Sequence, residues 1–80
     1  MSKVIDTTFK LRSGDDFIEL YKLLKVLNFV ESGSMAKLVI SEGLVKVSQK
    51  IEYRKRKKIS CGEIVEFDKK TILVISNKND

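Results

Sequence analysis

The stretch YRKRKKIS sets five consecutive basic residues, 54–58, inside a chain of 80 residues that contains no histidine and no proline. Such side chains donate hydrogen bonds and accept none. Arg54 and Arg56 each carry a planar fork that fits two phosphate oxygens, whereas Lys55, Lys57 and Lys58 act as point charges. The chemistry on offer is anion binding. A solvated charge run, a targeting tag and a grip on a polyanion would all read this way. A tag belongs in a flexible polar tail, but this run lies between IEY and ISCGEIVEF, two apolar-rich segments of strand character. Further cations precede it at Lys37, Lys46 and Lys50. Ser34, Lys37 and Ser41 are spaced by three and four, so on a helix they share one face, with a lysine between two hydroxyls.

Catalysis has little to work with. No histidine, no nucleophile beside a base and no glycine-rich phosphate loop is present, so general acid–base or nucleophilic chemistry would rest on scattered carboxylates. The chain is expected not to be an enzyme and to need no cofactor. Cys61 is the sole cysteine; it has no internal disulfide partner, and it is read as a small residue beside the turn at Gly62.

The formal net charge of +5 is unevenly distributed. Residues 1–32 hold five bases and five acids, residues 33–60 eight and two, and residues 61–80 three and four. The excess therefore belongs to the middle third. Like charges gathered in one segment repel, and a polyanionic partner relieves that repulsion. Nucleic acid is the leading candidate and an anionic membrane surface the second. The longest apolar run, TILVIS, is far short of the roughly 20 residues of a membrane span, and the charged start MSKVIDTTFK is unlike a signal peptide. The chain is expected to be cytoplasmic, without a membrane partner.

These cations need elements to hold them. VIDTTFKL alternates like a short strand. RSGDDFIELYKLLKVLN then suggests a helix capped at Ser13, with Asp15 and Asp16 at its positive end and Asn28 closing it. Phe17, Leu20, Tyr21, Leu24 and Leu27 would form its core stripe. ESGSMAKLVISEG reads as a second, shorter helix capped by Ser32 or Ser34 and ended by Gly43, with Ala36, Val39, Ile40 and Gly43 packing inward. After Gly43 the period becomes two, with Val45 and Val47 inward, Lys46 outward and SQK as the turn. Alternation sends Ile51, Tyr53 and Lys55 to one face and Glu52, Arg54 and Arg56 to the other. Because lysine is costly on a core face, the strand should break or bulge near Lys55, loop out, and rejoin the core at Ile59. SCGE is a turn, and EIVEF and TILVIS form a closing hairpin around DKK. The expected fold is α+β in the order βααββββ. Two helices pack against a small twisted, mostly antiparallel sheet, in one domain over residues 1–80 with a frayed tail at 77–80.

The segments ESGSMAKLVISEGLVKV and IEYRKRKKISCGEIVEF, in this order and spacing, resemble the S4 domain, the RNA-binding module first seen in small-subunit ribosomal protein four, and in particular its small stand-alone bacterial members. The likeness covers residues 17–67. It implies an L-shaped helix pair, the αL motif, followed by a hairpin, with the second helix and hairpin laid on structured RNA. By that resemblance Ser34, Lys37 and Ser41 lie on the helix that approaches RNA, Lys46 on the first hairpin strand, and Arg54 and Arg56 at positions often basic in the stand-alone members. Two positions depart from the pattern. Glu19-Leu20-Tyr21 stands where many members have Arg-Leu-Asp, and Ser48-Gln49-Lys50 replaces a tight Asn-Gly turn.

The resemblance favours the grip. Ser34, Lys37, Ser41, Lys46, Lys50, Arg54, Lys55, Arg56, Lys57 and Lys58 are the expected RNA-binding residues, converging if helix and hairpin are adjacent. Phosphate contact and shape would select folded RNA, ribosomal RNA or tRNA, since the base edges of double-helical RNA are hidden in a deep groove. The partner could include the ribosome or its assembly intermediates, and the chain is expected to be a monomer. Stacking on bases is the weaker reading, because Tyr53 is expected in the core. A basic adaptor docking an acidic protein is the alternative from another class.

Overall fold

The computed structural model describes residues 4–76, so the expected frayed tail at 77–80 lies outside the described residues. Strand β1 (Thr7–Lys10) pairs in parallel with β7 (Lys70–Ile75), and the remaining neighbours are antiparallel. With β3 (Val45–Val47), β4 (Lys50–Ile51) and β6 (Ile64–Phe67), they make a five-stranded sheet in the order β1-β7-β6-β3-β4. A second, two-stranded sheet joins β2 (Phe17–Glu19) to β5 (Lys58–Ser60). Helices α1 (Leu20–Val26) and α2 (Gly33–Ser41) lie between β2 and β3 in sequence. The α+β class, with two helices against a mostly antiparallel sheet, is as expected. The element order is longer than βααββββ by the two short strands β2 and β5.

That pair accounts for the main departure from the sequence reading. Phe17 was expected inside the first helix, yet it is extended and opposite Ser60, with Ile18 opposite Ile59. Ser13 caps nothing there; the Asp15 N–H donates to the Arg12 carbonyl at 2.9 Å in a turn where Gly14 has φ 91°. Helix α1 starts at Leu20, and its first N–H groups are met from a distance. Leu20 donates to the Lys57 carbonyl at 2.9 Å and Tyr21 to the Lys55 carbonyl at 3.0 Å. Carbonyls of the basic loop thus do what a side-chain cap would have done. Long-range pairing outweighs the local capping signal because it satisfies a run of backbone groups, not one.

Other local signals are realised as expected. The Ser32 hydroxyl oxygen accepts from the Met35 N–H at 3.1 Å and caps α2. Both helices end in the same way. Asn28, at φ 61°, lets the Phe29 N–H reach the Leu24 carbonyl and its own N–H reach Lys25. Gly43, at φ 78°, lets Leu44 reach Val39 while donating to Ile40. This is the paired hydrogen-bond pattern of a left-handed helix end. Val45 and Val47 are buried and Lys46 is exposed. Leu20, Leu23 and Leu24 of α1 meet Ala36 and Ile40 of α2, Ile59 of β5, and Val65, Ile72 and Val74 of the sheet in one core.

The hairpin tip that lacks Asn-Gly still turns tightly. Ser48 and Gln49 have φ of 51° and 72°, and Asp68 and Lys69, between β6 and β7, have 52° and 66°. Two successive positive φ angles are the mark of a two-residue turn whose twist matches the flanking strands.

Candidate nucleic-acid interface

The ladder of β4 stops after Ile51, and the Glu52 N–H makes a last bond to the Val45 carbonyl at 3.0 Å. From there to Lys57 the chain is a loop, closed by a Lys57 N–H to Arg54 carbonyl bond of 3.2 Å, and Ile59 re-enters the core fully buried. A loop carrying the bases is present as expected, but the strand ends at Ile51 and not near Lys55. Because the Lys55 and Lys57 carbonyls hold the start of α1, the backbone of this loop is fixed while its cationic side chains face outward.

Tyr21 draws the separate segments together. Its ring centroid lies 4.9 Å from the Lys37 Nζ of α2, 5.5 Å from the Arg56 Cζ of the loop, and 6.0 Å from the Lys22 Nζ beside it. The negative face of an aromatic ring attracts such cations and offsets their mutual repulsion. Lys58 is seated in the same way on Phe17, at 4.9 Å. Glu19 adds a counter-charge. Its Oε1 accepts no direct hydrogen bond, but it stands 3.8 Å from Lys22 Nζ and 3.7 Å from Arg56 Nη1. Glu19 and Tyr21 together organise cations contributed by α2 and the loop.

Arg54 is placed differently from its neighbours. Its Nε donates to Glu52 Oε2 at 2.9 Å and its Nη2 to Oε1 at 3.3 Å, while its backbone N–H donates to the same Oε2 at 3.0 Å. The Arg54 side-chain hydrogen bond is the main reason that the Glu52 carboxyl lies below the ordinary glutamate range, and the same bond raises Arg54 further. The fork expected to grip phosphate is therefore already engaged by a carboxylate. Ser41 is also committed, its hydroxyl donating to the Leu38 carbonyl at 2.8 Å, whereas Ser34 is exposed on α2.

The hairpin cations lie further off. Lys46 projects from the outward face of β3, opposite Glu66 on the ladder, and lines a concavity together with Lys69 and Lys70. The groove formed by residues 53–58 is separate. Lys50 is exposed at the start of β4, opposite Val47. The expected convergence is thus seen for Lys37 and Arg56, while Lys46 is grouped instead with Lys69 and Lys70.

Tyr53 overturns an expectation. Alternation places it in the core, but it is 61% exposed, and Ile51 is 48% exposed. Ile51 is paired with the outward-facing Lys46, and directly opposite residues share a face of the sheet, so the register sends Ile51, and Tyr53 two residues on, to the outer side. Tyr21, Tyr53, Glu19 and Glu52 are the residues of this face that the sequence reading does not select. One signal is available for them: Glu52 and Arg54, two apart, fall on the same face of an extended segment. Among the described residues no group of three or more carboxylate or cysteine side chains could hold a metal ion, and no helix is long and apolar enough to cross a membrane.

The S4 domain profile matches residues 9–75. The protein YbcJ of Escherichia coli (strain K12) is 44% identical over 59 residues, covering 74% of this chain and 84% of YbcJ. The solution structure of YbcJ, described as revealing an αL motif involved in RNA binding, superposes with a TM-score of 0.65 over 85% of both chains at 43% identity. The 30S ribosomal protein S4e of Thermoplasma acidophilum shares the fold, with a TM-score of 0.60 at 21% identity over 71% of this chain and 30% of its own. The order of residues read from the sequence, the helix pair and hairpin, and these matches agree: this chain belongs to the S4 domain family.

Proposed function

We propose that this protein binds structured RNA without catalysing a reaction, using the outer face of α2 and the basic segment 52–58 of the loop and the start of β5. One observation carries the reading. Lys37 and Arg56, nineteen residues apart in sequence and on different elements, meet over one ring, so cations are set at fixed mutual distances. Fixed spacing is what shape recognition of a folded RNA backbone requires, whereas a flexible basic tail gives charge alone. Family membership and the αL motif of YbcJ support RNA as the kind of partner. Within that class we favour ribosomal RNA or tRNA, met in the cytoplasm by a monomer, with a ribosome or assembly intermediate as the setting.

The test compares Lys37→Glu with Lys70→Glu, which alter net charge equally. Lys70 lies at the start of β7, away from Tyr21. Against one folded RNA and one unstructured RNA of equal length, Lys37→Glu should weaken binding to the folded RNA much more than Lys70→Glu does. Equal losses on both RNAs would leave only nonspecific charge attraction. Crosslinking in cells, followed by sequencing of the bound RNA, identifies the target, and a dominant protein adduct instead would favour the adaptor reading.

A further inference from the structure

Tyr53 is a large aromatic side chain held at the surface within the basic loop. The Glu52 N–H bond to Val45 and the Glu52–Arg54 clamp fix the backbone on either side of it, at 3.0 Å and 2.9 Å respectively. One side of the side chain rests on Gly43. A Cβ built there would come within 3.2 Å of Tyr53 Cε1 and 3.3 Å of its hydroxyl oxygen, so the ring occupies space that only glycine leaves open. The remainder, 61% of the residue's surface, faces solvent, in a groove whose other lining residues are Arg54, Lys55, Arg56, Lys57 and Lys58.

We infer that Tyr53 is a stacking platform for a single unpaired base of the bound RNA, so that the preferred ligand is an RNA helix interrupted by a bulged or looped-out nucleotide. The inference rests on the RNA-binding reading and adds the feature of the RNA that is read. Lys55, Arg56, Lys57 and Lys58 hold the phosphates on either side of the interruption, Arg54 being paired with Glu52. The ring takes the base face, a contact that tolerates any base because every base has a π-face. A continuous duplex offers the loop phosphates alone, since its bases are stacked on one another and its edges are out of reach.

The test uses two RNA duplexes of the same sequence, one fully paired with blunt ends and one with a single bulged 2-aminopurine, titrated by anisotropy and by 2-aminopurine emission. Wild-type protein should bind both and prefer the bulged duplex by roughly 5- to 150-fold, the range of one base stacked on one aromatic ring. Its binding should quench the bulged fluorophore. Tyr53→Phe should keep preference and quenching, whereas Tyr53→Leu should bind the two duplexes within about twofold and lose the quenching. Tyr53→Leu should leave the melting temperature nearly unchanged, since the residue is mostly exposed. A wild-type protein that binds both duplexes equally, or a Tyr53→Leu variant that keeps the preference, overturns the platform and leaves RNA binding standing. Failure of the wild type to bind either duplex overturns the RNA reading and the platform with it.

Discussion

Glu52 competes with phosphate for Arg54, so its removal should strengthen RNA binding. Two side-chain hydrogen bonds, 2.9 Å from Nε and 3.3 Å from Nη2, pair the guanidinium with the carboxylate, while 71% of the arginine side chain remains exposed. Arg54 is reachable, but as a neutralised pair it adds almost nothing to the number of phosphates engaged. Glu52→Gln keeps an amide oxygen to accept the Arg54 backbone N–H, so the loop retains its shape, and it takes away the competing charge. Engaging one more phosphate makes the slope of log affinity against log salt steeper by about 0.7 to 0.9, so the improvement in affinity should be roughly threefold larger at 50 mM than at 200 mM salt. Anisotropy titrations of one folded RNA at four salt concentrations read this directly. Arg54→Ala should alter the slope little in the wild type and abolish the improvement in Glu52→Gln. Acid should act like the substitution. The Glu52 carboxyl is lowered below its ordinary 4.5, chiefly by the Arg54 side chain. The folded state therefore holds this site deprotonated more firmly than the unfolded chain does. Its stabilising contribution is present at neutral pH and is lost as the pH falls from the ordinary range through the folded value. An unchanged salt slope in a folded Glu52→Gln protein would refute the competition.

Two further outcomes follow from Tyr21 and from the glycine turns. Tyr21→Phe should bind RNA as the wild type does, because the ring that seats Lys37 and Arg56 is kept, while Tyr21→Leu should weaken binding by about two- to fivefold in the same titration. Gly43→Ala and Gly62→Ala, at φ of 78° and 92°, should each lose about 1–2 kcal/mol from the left-handed backbone alone. That corresponds to a fall in melting temperature of roughly 4–16 °C for a domain of this size, read by circular dichroism. Only Gly43→Ala also meets Tyr53, whose ring rests on Gly43, so its melting temperature should fall somewhat more than that of Gly62→Ala. A fall at Gly62 with none at Gly43 would contradict the left-handed ending of α2.

What short-range chemistry can fix is legible in the chain alone. Asn28 and Gly43 end their helices because a left-handed residue there lets orphaned carbonyls find donors within five residues. Ser32 caps α2, and the Val45–Val47 alternation points Lys46 outward. The family is legible too, since its pattern lies in the order of such local pieces. Where α1 begins is a tertiary matter, because β5 offers the backbone of residues 17–19 a ladder and the basic loop offers Leu20 and Tyr21 two carbonyls, neither of which is near in sequence. Packing turns Tyr21 from one more residue of an apolar stripe into the meeting point of Lys37 and Arg56, and the pairing of Ile51 with the outward Lys46 puts Tyr53 on the outer side. Cations repel until something fixes the distances between them, and here the fixing groups come from β2, α1, α2 and the loop. No one segment contains the face they form.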